Sequence, residues 1–172
     1  MAEVQKFADI SSCGLYRYSL RRIWCEGPPL IVVMLNPSTA DARVDDPTIR
    51  RVMGFAQSNG YGGIIVLNLF AWRATSPAAL KAADYPVGPL NMEYWQETHE
   101  TARNHYPYKE RVHYLCAWGA GGGLMNQDKT FMEWLQSRKY REIYCLGTTK
   151  AGFPKHPLYL PKDTPMEPYY GR

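Results

Sequence analysis

A chain of 172 residues that is 45% apolar and 21% charged has an ordinary globular composition, suited to one domain over residues 1–172 and too apolar for disorder. Its formal charge of +4 permits a polyanionic partner without requiring one. No apolar run approaches the ~20 residues of a membrane span, and the opening MAEVQKFADISS lacks the apolar stretch of a signal peptide.

None of the 4 cysteines, Cys13, Cys25, Cys116 and Cys145, stands in C-x-x-C spacing, so neither a metal nor another cofactor is expected. Cys116 and Cys145 lie in apolar runs, where cysteine acts as a small core residue. A reducing cytoplasm and a monomer are the expectations.

Along the chain, YRYSLRRIWC (Tyr16 to Cys25) reads as a strand, and Glu26-Gly27-Pro28-Pro29 turns it into the wholly apolar Leu30 to Leu35. These two strands are expected to form a hairpin. Asp45-Asp46-Pro47 starts a helix, with Ile49, Val52, Met53 and Ala56 at helical spacing and Asn59-Gly60 as its stop. Ile64 to Leu67 is a second buried-type strand ending at Asn68. Thr75-Ser76-Pro77 opens a short helix, and a longer one covers Asn91 to His105. Val112 to Ala117 is a third such strand, ending at Trp118-Gly119. A helix near Lys129 to Ser137 and a strand over Glu142 to Leu146 follow. The Pro-, Gly- and Tyr-rich tail from Gly147 is expected as ordered loop.

Alternation of strand and helix predicts a three-layer αβα domain around a central, largely parallel four-stranded sheet, with the N-terminal hairpin strand added. Ligands of such sheets bind outside the carboxyl ends of the strands. Each of those ends here carries polar chemistry: Asn36, Asn68, Trp118-Gly119, and the loop from Gly147 to His156.

Each group also has a plainer reading. Asn36 either orients a water or ligand or closes an Asx-turn; the small Ser38 lies beside it. Asp41 is a candidate functional acid, whereas Asp45 or Asp46 serves as a helix cap; together the three can also be read as cation ligands. Asn68 suits the hydrogen-bonding edge of a flat base, with Phe70 stacking on it and Arg73 on a phosphate; alternatively Phe70 and Trp72 are core. The glycine run Gly119 to Gly123 can present N–H groups to phosphate but matches no nucleotide-binding fingerprint. His156, beside Lys150 and Lys155 in a Pro/Gly-rich loop, can donate to a developing oxyanion.

IVVMLNP (Ile31 to Pro37), IIVLNLFAWRA (Ile64 to Ala74), YLCAWG (Tyr114 to Gly119) and His156-Pro157-Leu158 resemble, in order, motifs of the uracil-DNA glycosylase superfamily. The resemblance implies that Asn36 positions the attacking water, Asn68 reads the base edge, His156 stabilises the leaving base, and Leu158 or Tyr159 enters the DNA minor groove. Arg73, Lys150 and Lys155 would hold phosphates. More closely, LNPSTADA, DDPTIRR, NLFAWRAT and HPLYL resemble an uncharacterised phage and bacterial family, domain of unknown function 1643. The small residues Ser38 to Ala40 stand where true uracil enzymes carry a blocking aromatic, which implies room for a 5-substituted base. The implied function is hydrolysis of the N-glycosidic bond of a modified pyrimidine in DNA. Two alternatives use the same pocket: transfer chemistry in phage DNA hypermodification, and binding of a base or nucleotide without chemistry.

Overall fold

A computed structural model describes residues 3–105, 112–161 and 163–172. The elements are β1 (Gln5–Ile10), β2 (Arg17–Ile23), β3 (Pro29–Met34), α1 (Pro47–Ser58), β4 (Gly63–Asn68), α2 (Pro77–Lys81), α3 (Asn91–His105), β5 (His113–Cys116), α4 (Gln127–Ser137), β6 (Ile143–Cys145) and β7 (Glu167–Pro168). Among the described residues, no helix is long and apolar enough to cross a membrane.

The strands form one seven-stranded mixed sheet in the order β1-β2-β4-β3-β5-β6-β7. The neighbours β4, β3, β5 and β6 pair in parallel, while β1, β2 and β7 join antiparallel. The fold is therefore α/β, with a larger and more mixed sheet than the one expected.

Apolar runs in β3 and β4 follow from cover on both faces. Leu30, Val32, Ile64 and Val66 pack with Ile49, Val52 and Phe55 of α1. Ile31, Val33 and Leu67 pack on the other face with Leu80, Trp95 and Phe131 of α2, α3 and α4. Each such side chain contributes ~1.5–3 kcal/mol of burial. The helix starts are local. The Asp46 side chain accepts the Ile49 N–H at 2.8 Å and Pro47 follows it; Ser76 and Pro77 repeat the device in α2, with Ala79 N–H at 3.2 Å.

The expected hairpin does not form. β2 pairs with β1 and β4, and β4 lies between β2 and β3. The cause is the pair Gly62-Gly63. Trp24 and Cys25 both donate to the Gly62 carbonyl, and Gly62 N–H donates to Pro28 O. A Cβ on Gly62 would sit 2.6 Å from Cys25 O, and one on Gly63 would sit 2.7 Å from Arg22 O. Two residues without side chains thus let the start of β4 enter the gap between the outgoing and returning chain.

A bulge in β2 decides which layer its first residues face. Opposite β1, Asp9 faces Ser19 but Ile10 faces Arg17, so Tyr18 is an extra residue. Leu20 packs in the α1 layer, and strict alternation would send Tyr18 there too. Instead Tyr18 stacks on Tyr94 of α3 at 4.8 Å. The extra residue returns Arg17 to the α1 side.

Candidate functional site

The carboxyl ends of the parallel strands surround a pocket of about 180 Å³. Asn36 follows β3, Asn68 ends β4, Trp118 follows β5, and His156 comes from the loop after β6; all four line the pocket, as does Ser38. The parallel register sets Met34 against Asn68, which brings the two strand ends level.

Asn68 is 1% exposed, and neither atom of its side-chain amide has a hydrogen-bond partner. Its own carbonyl is well occupied, by Asn91 Nδ2 and Trp95 Nε1, both at 3.0 Å. The strand end is therefore fixed while the amide it presents is idle. The amide of Asn36 is oriented differently: Nδ2 donates to Ala74 O at 2.8 Å and to Pro37 O at 2.9 Å. These two bonds turn Oδ1 into the free end of the group.

The His156 Nδ1 accepts the Leu158 N–H at 3.3 Å, which fixes the tautomer with the proton on Nε2. Burial lowers the imidazole's pKa, opposed in part by the charge of Asp46. At neutral pH this side chain is an uncharged donor on the pocket wall. Trp118 lies with its indole nitrogen unpartnered. The glycine run seats it: a Cβ on Gly122 would lie 2.1 Å from Trp118 Cδ1, and one on Gly121 would lie 2.6 Å from Leu35 Cδ2. These glycines make room for side chains around the pocket.

Several expected site residues fall elsewhere. Asp41 is not part of the pocket wall. Its Oδ1 accepts the N–H groups of Arg43 and Val44 at 2.7 and 2.9 Å, which closes a turn and holds its pKa below the usual carboxylate range. Asp46, further along the same loop, is the carboxylate that lines the pocket. Asp45 is bound by Arg22 and Lys6, each at 2.7 Å, so the three carboxylates do not converge on one point. Phe70 is fully buried in the core cluster, and the aromatic on the pocket wall is Trp118 instead. Arg73 donates to Gly14 O at 3.1 Å and lies off the wall. Lys150 and Lys155 are solvent-exposed. Leu158 lies over α1, in a groove with Pro47, Arg51 and Phe55, and the neighbouring Tyr159 is 87% exposed.

The pocket is also lined by residues that the sequence did not single out as site residues, above all Arg17, Thr48 and Thr75. Thr48 and Thr75 sit at starts of helices that were legible, so their placement was within reach of a capping argument. Arg17 was not, because its side of the sheet depends on the bulge.

No curated protein and no solved structure matches the chain. A family model described as "Protein of unknown function (DUF1643)" matches residues 17–158. The matched span opens at Arg17 and contains every residue of the pocket wall. The chain belongs to the DUF1643 family.

Proposed function

We propose that the pocket holds a pyrimidine base and that the protein hydrolyses the N-glycosidic bond of a modified pyrimidine in DNA, as the resemblance to uracil-DNA glycosylases implies. The observation that carries this reading is the Asn68 amide. A buried donor and acceptor left unpaired cost ~1–3 kcal/mol. An imide edge, with a carbonyl beside an N–H, pairs both at once. The volume of about 180 Å³ is below the ~300–1,000 Å³ of sites for drug-sized ligands, in keeping with one small flat heterocycle. Extrusion of the base from a duplex costs a few kcal/mol, which these contacts offset.

The other groups then have defined tasks. Asn36 Oδ1 accepts from a water and aims its oxygen at C1′. As the C1′–N bond breaks, its electron pair passes to the base, and the neutral His156 donates from Nε2 to the developing oxyanion. One such donor is worth ~10²–10³ in rate. Asn36 cannot take the water's proton; Asp46 is the carboxylate on the wall that can. Trp118 replaces Phe70 as the aromatic next to the base.

Mass spectrometry of duplexes carrying uracil or 5-hydroxymethyluracil tests the reading. Free base and an abasic strand are expected, with losses of about 10²–10³ in His156→Ala. Intact strands at high enzyme concentration would end it. A second reading is favoured by one contact: Asp46 Oδ1 already accepts the Ile49 N–H, which weakens it as a proton acceptor. In that reading the pocket binds a base or nucleotide and leaves the glycosidic bond whole, either for substitution of a base side group or without chemistry. Calorimetry with nucleosides together with the strand assay separates the two.

A further inference from the structure

Arg17 has no task in the reaction above, yet it is the costliest unexplained group on the pocket wall. It is 2% exposed. Its Nη1 donates to Ala40 O at 2.8 Å, and its Nε, equally buried, has no partner. Among the described residues no carboxylate reaches it at ion-pair distance. Burial pulls its pKa down to about 10, so it remains a cation at neutral pH; the charge of Asp46 opposes the shift without pairing with the group. A buried charge without a counter-ion is strongly destabilising, and native folds keep one where something else supplies the opposite charge.

The surroundings point to what that is. The bulge at Tyr18 turns Arg17 toward the pocket. The N-terminus of the 12-residue helix α1 opens on the same pocket through Asp46 and Thr48, and its dipole favours negative charge there. The hydroxyl-bearing residues Ser38, Thr48 and Thr75 are part of the wall. With Nη1 tied to Ala40, the unpartnered Nε edge is the part of the guanidinium left for a ligand, and such an edge fits two oxygens of a phosphate.

We propose that Arg17 is the anion-binding residue of the pocket and that the substrate is a pyrimidine nucleotide unit whose phosphate pairs with it. The pyrimidine half rests on the reading of Asn68; the phosphate half rests on Arg17 alone. The phosphate belongs either to a free nucleotide or to a DNA strand, and the same chemistry recognises both.

The test uses the full chain with arginine side-chain nitrogen NMR and calorimetry at constant ionic strength. The probes are inorganic phosphate, deoxyuridine, deoxyuridine monophosphate and a single-stranded trinucleotide with deoxyuridine at its centre. Phosphate alone should shift the Arg17 Nε–H resonance and saturate. The monophosphate should bind about 10- to 100-fold more tightly than the nucleoside, the range for a hydrogen bond to a charged group. In Arg17→Met the monophosphate should bind no more tightly than the nucleoside, and Arg17→Lys should restore only part of the gain. If Arg17→Met does not fold, the wild-type resonance decides the question alone. An Arg17 resonance that stays still in phosphate, with nucleoside and monophosphate binding equally, overturns the proposal while leaving the base pocket intact. Binding of phosphate without any binding of nucleoside removes the base reading and leaves Arg17 as an anion site. Tighter binding of the trinucleotide than of the monophosphate identifies a strand as the source.

Discussion

β2 carries two buried arginines, and the protein treats them in opposite ways. Arg22 is sealed from solvent and satisfied: Nε meets Asp45 at 2.7 Å, and its other nitrogens reach the carbonyls of Phe7, Arg21 and Asp41. Arg17 donates to Ala40 O, and its Nε is left without a partner. Two amides repeat the contrast one strand away. Asn91 uses its Nδ2 to tie down the carbonyls of Asn68 and Leu69, both at 3.0 Å, and leaves only its Oδ1 unpartnered, while neither end of the Asn68 amide meets a partner. Groups of one chemistry at one depth therefore divide into those that hold the end of the sheet together and those held ready by it. The ready ones both line the pocket.

The largest expected effect separates the arginines. Arg22→Met leaves the Asp45 carboxylate with Lys6 as its remaining ion-pair partner and should lower unfolding free energy by ~3–5 kcal/mol. Arg17→Met removes a cation without a carboxylate partner and keeps most of the stem packing; its urea midpoint should be unchanged or higher. Equal losses in the two variants would make Arg17 structural and dissolve the contrast.

The amides give the next effect. Asn91→Leu deprives two buried carbonyls of a donor and should cost ~1–3 kcal/mol, although Asn68 O keeps the Trp95 indole. Asn68→Leu removes two idle polar atoms and should be neutral or stabilising in the same urea titration, while nucleoside binding is lost. A destabilised Asn68→Leu would show that the amide serves the fold.

The same division governs how much of the molecule was legible in its sequence. Helix starts at Asp46-Pro47 and Ser76-Pro77 are decided by neighbours within one turn, and α1 and α2 lie where those signals put them. The strand ends beside Asn36 and Asn68 follow from apolar runs, and these residues meet His156, from the loop after β6, in one pocket. Pairing was less legible. The expected hairpin gave way because Gly62-Gly63 admits β4 beside β2, a contact across chain segments. β1 alternates only weakly between exposed and half-buried residues, and β7 has two residues, too few for a periodic signal. Arg17 was hidden for the same reason: one extra residue in a strand reverses the face, and no local pattern marks it.

Acidification probes a third kind of buried group. His99 bonds the Tyr114 hydroxyl at 2.9 Å through Nδ1, and its Nε2 is unpartnered. Burial first, then Arg103 and Arg138, lower its pKa to about 4. The folded pKa lies below the unfolded one near 6.5, so the folded state resists protonation. Stability should be full above pH 6.5 and fall as the pH drops toward about 4, by a total on the order of 3 kcal/mol. His156 adds to the loss in the same direction over the upper part of that window. His99→Phe should flatten most of the pH dependence of the urea midpoint. A midpoint that rises on acidification would contradict the burial of both imidazoles.

The smallest effect on the fold bears most directly on the chemistry. Asp41 and Asp46 are both loop carboxylates before α1, and each accepts backbone N–H groups. Asparagine caps a helix or turn about as well as aspartate, so Asp41→Asn and Asp46→Asn should both fold with midpoints close to wild type. The backbone bonds that hold the Asp41 pKa down stabilise its charged form, so that contribution is present at neutral pH and lost as the pH falls. Only Asp46 lines the pocket and acts on both Arg17 and His156 through its charge; the charge of Asp41 reaches Arg17 alone, and more weakly. The single-turnover rate on a 5-hydroxymethyluracil duplex should therefore hold in Asp41→Asn and fall in Asp46→Asn. Losing the Asp46 charge should also tighten phosphate binding at Arg17, since the carboxylate competes with an incoming anion. A rate lost in Asp41→Asn and kept in Asp46→Asn would return the role of acid to the residue first favoured by the sequence, and would mean that the turn around Asp41 opens when substrate binds.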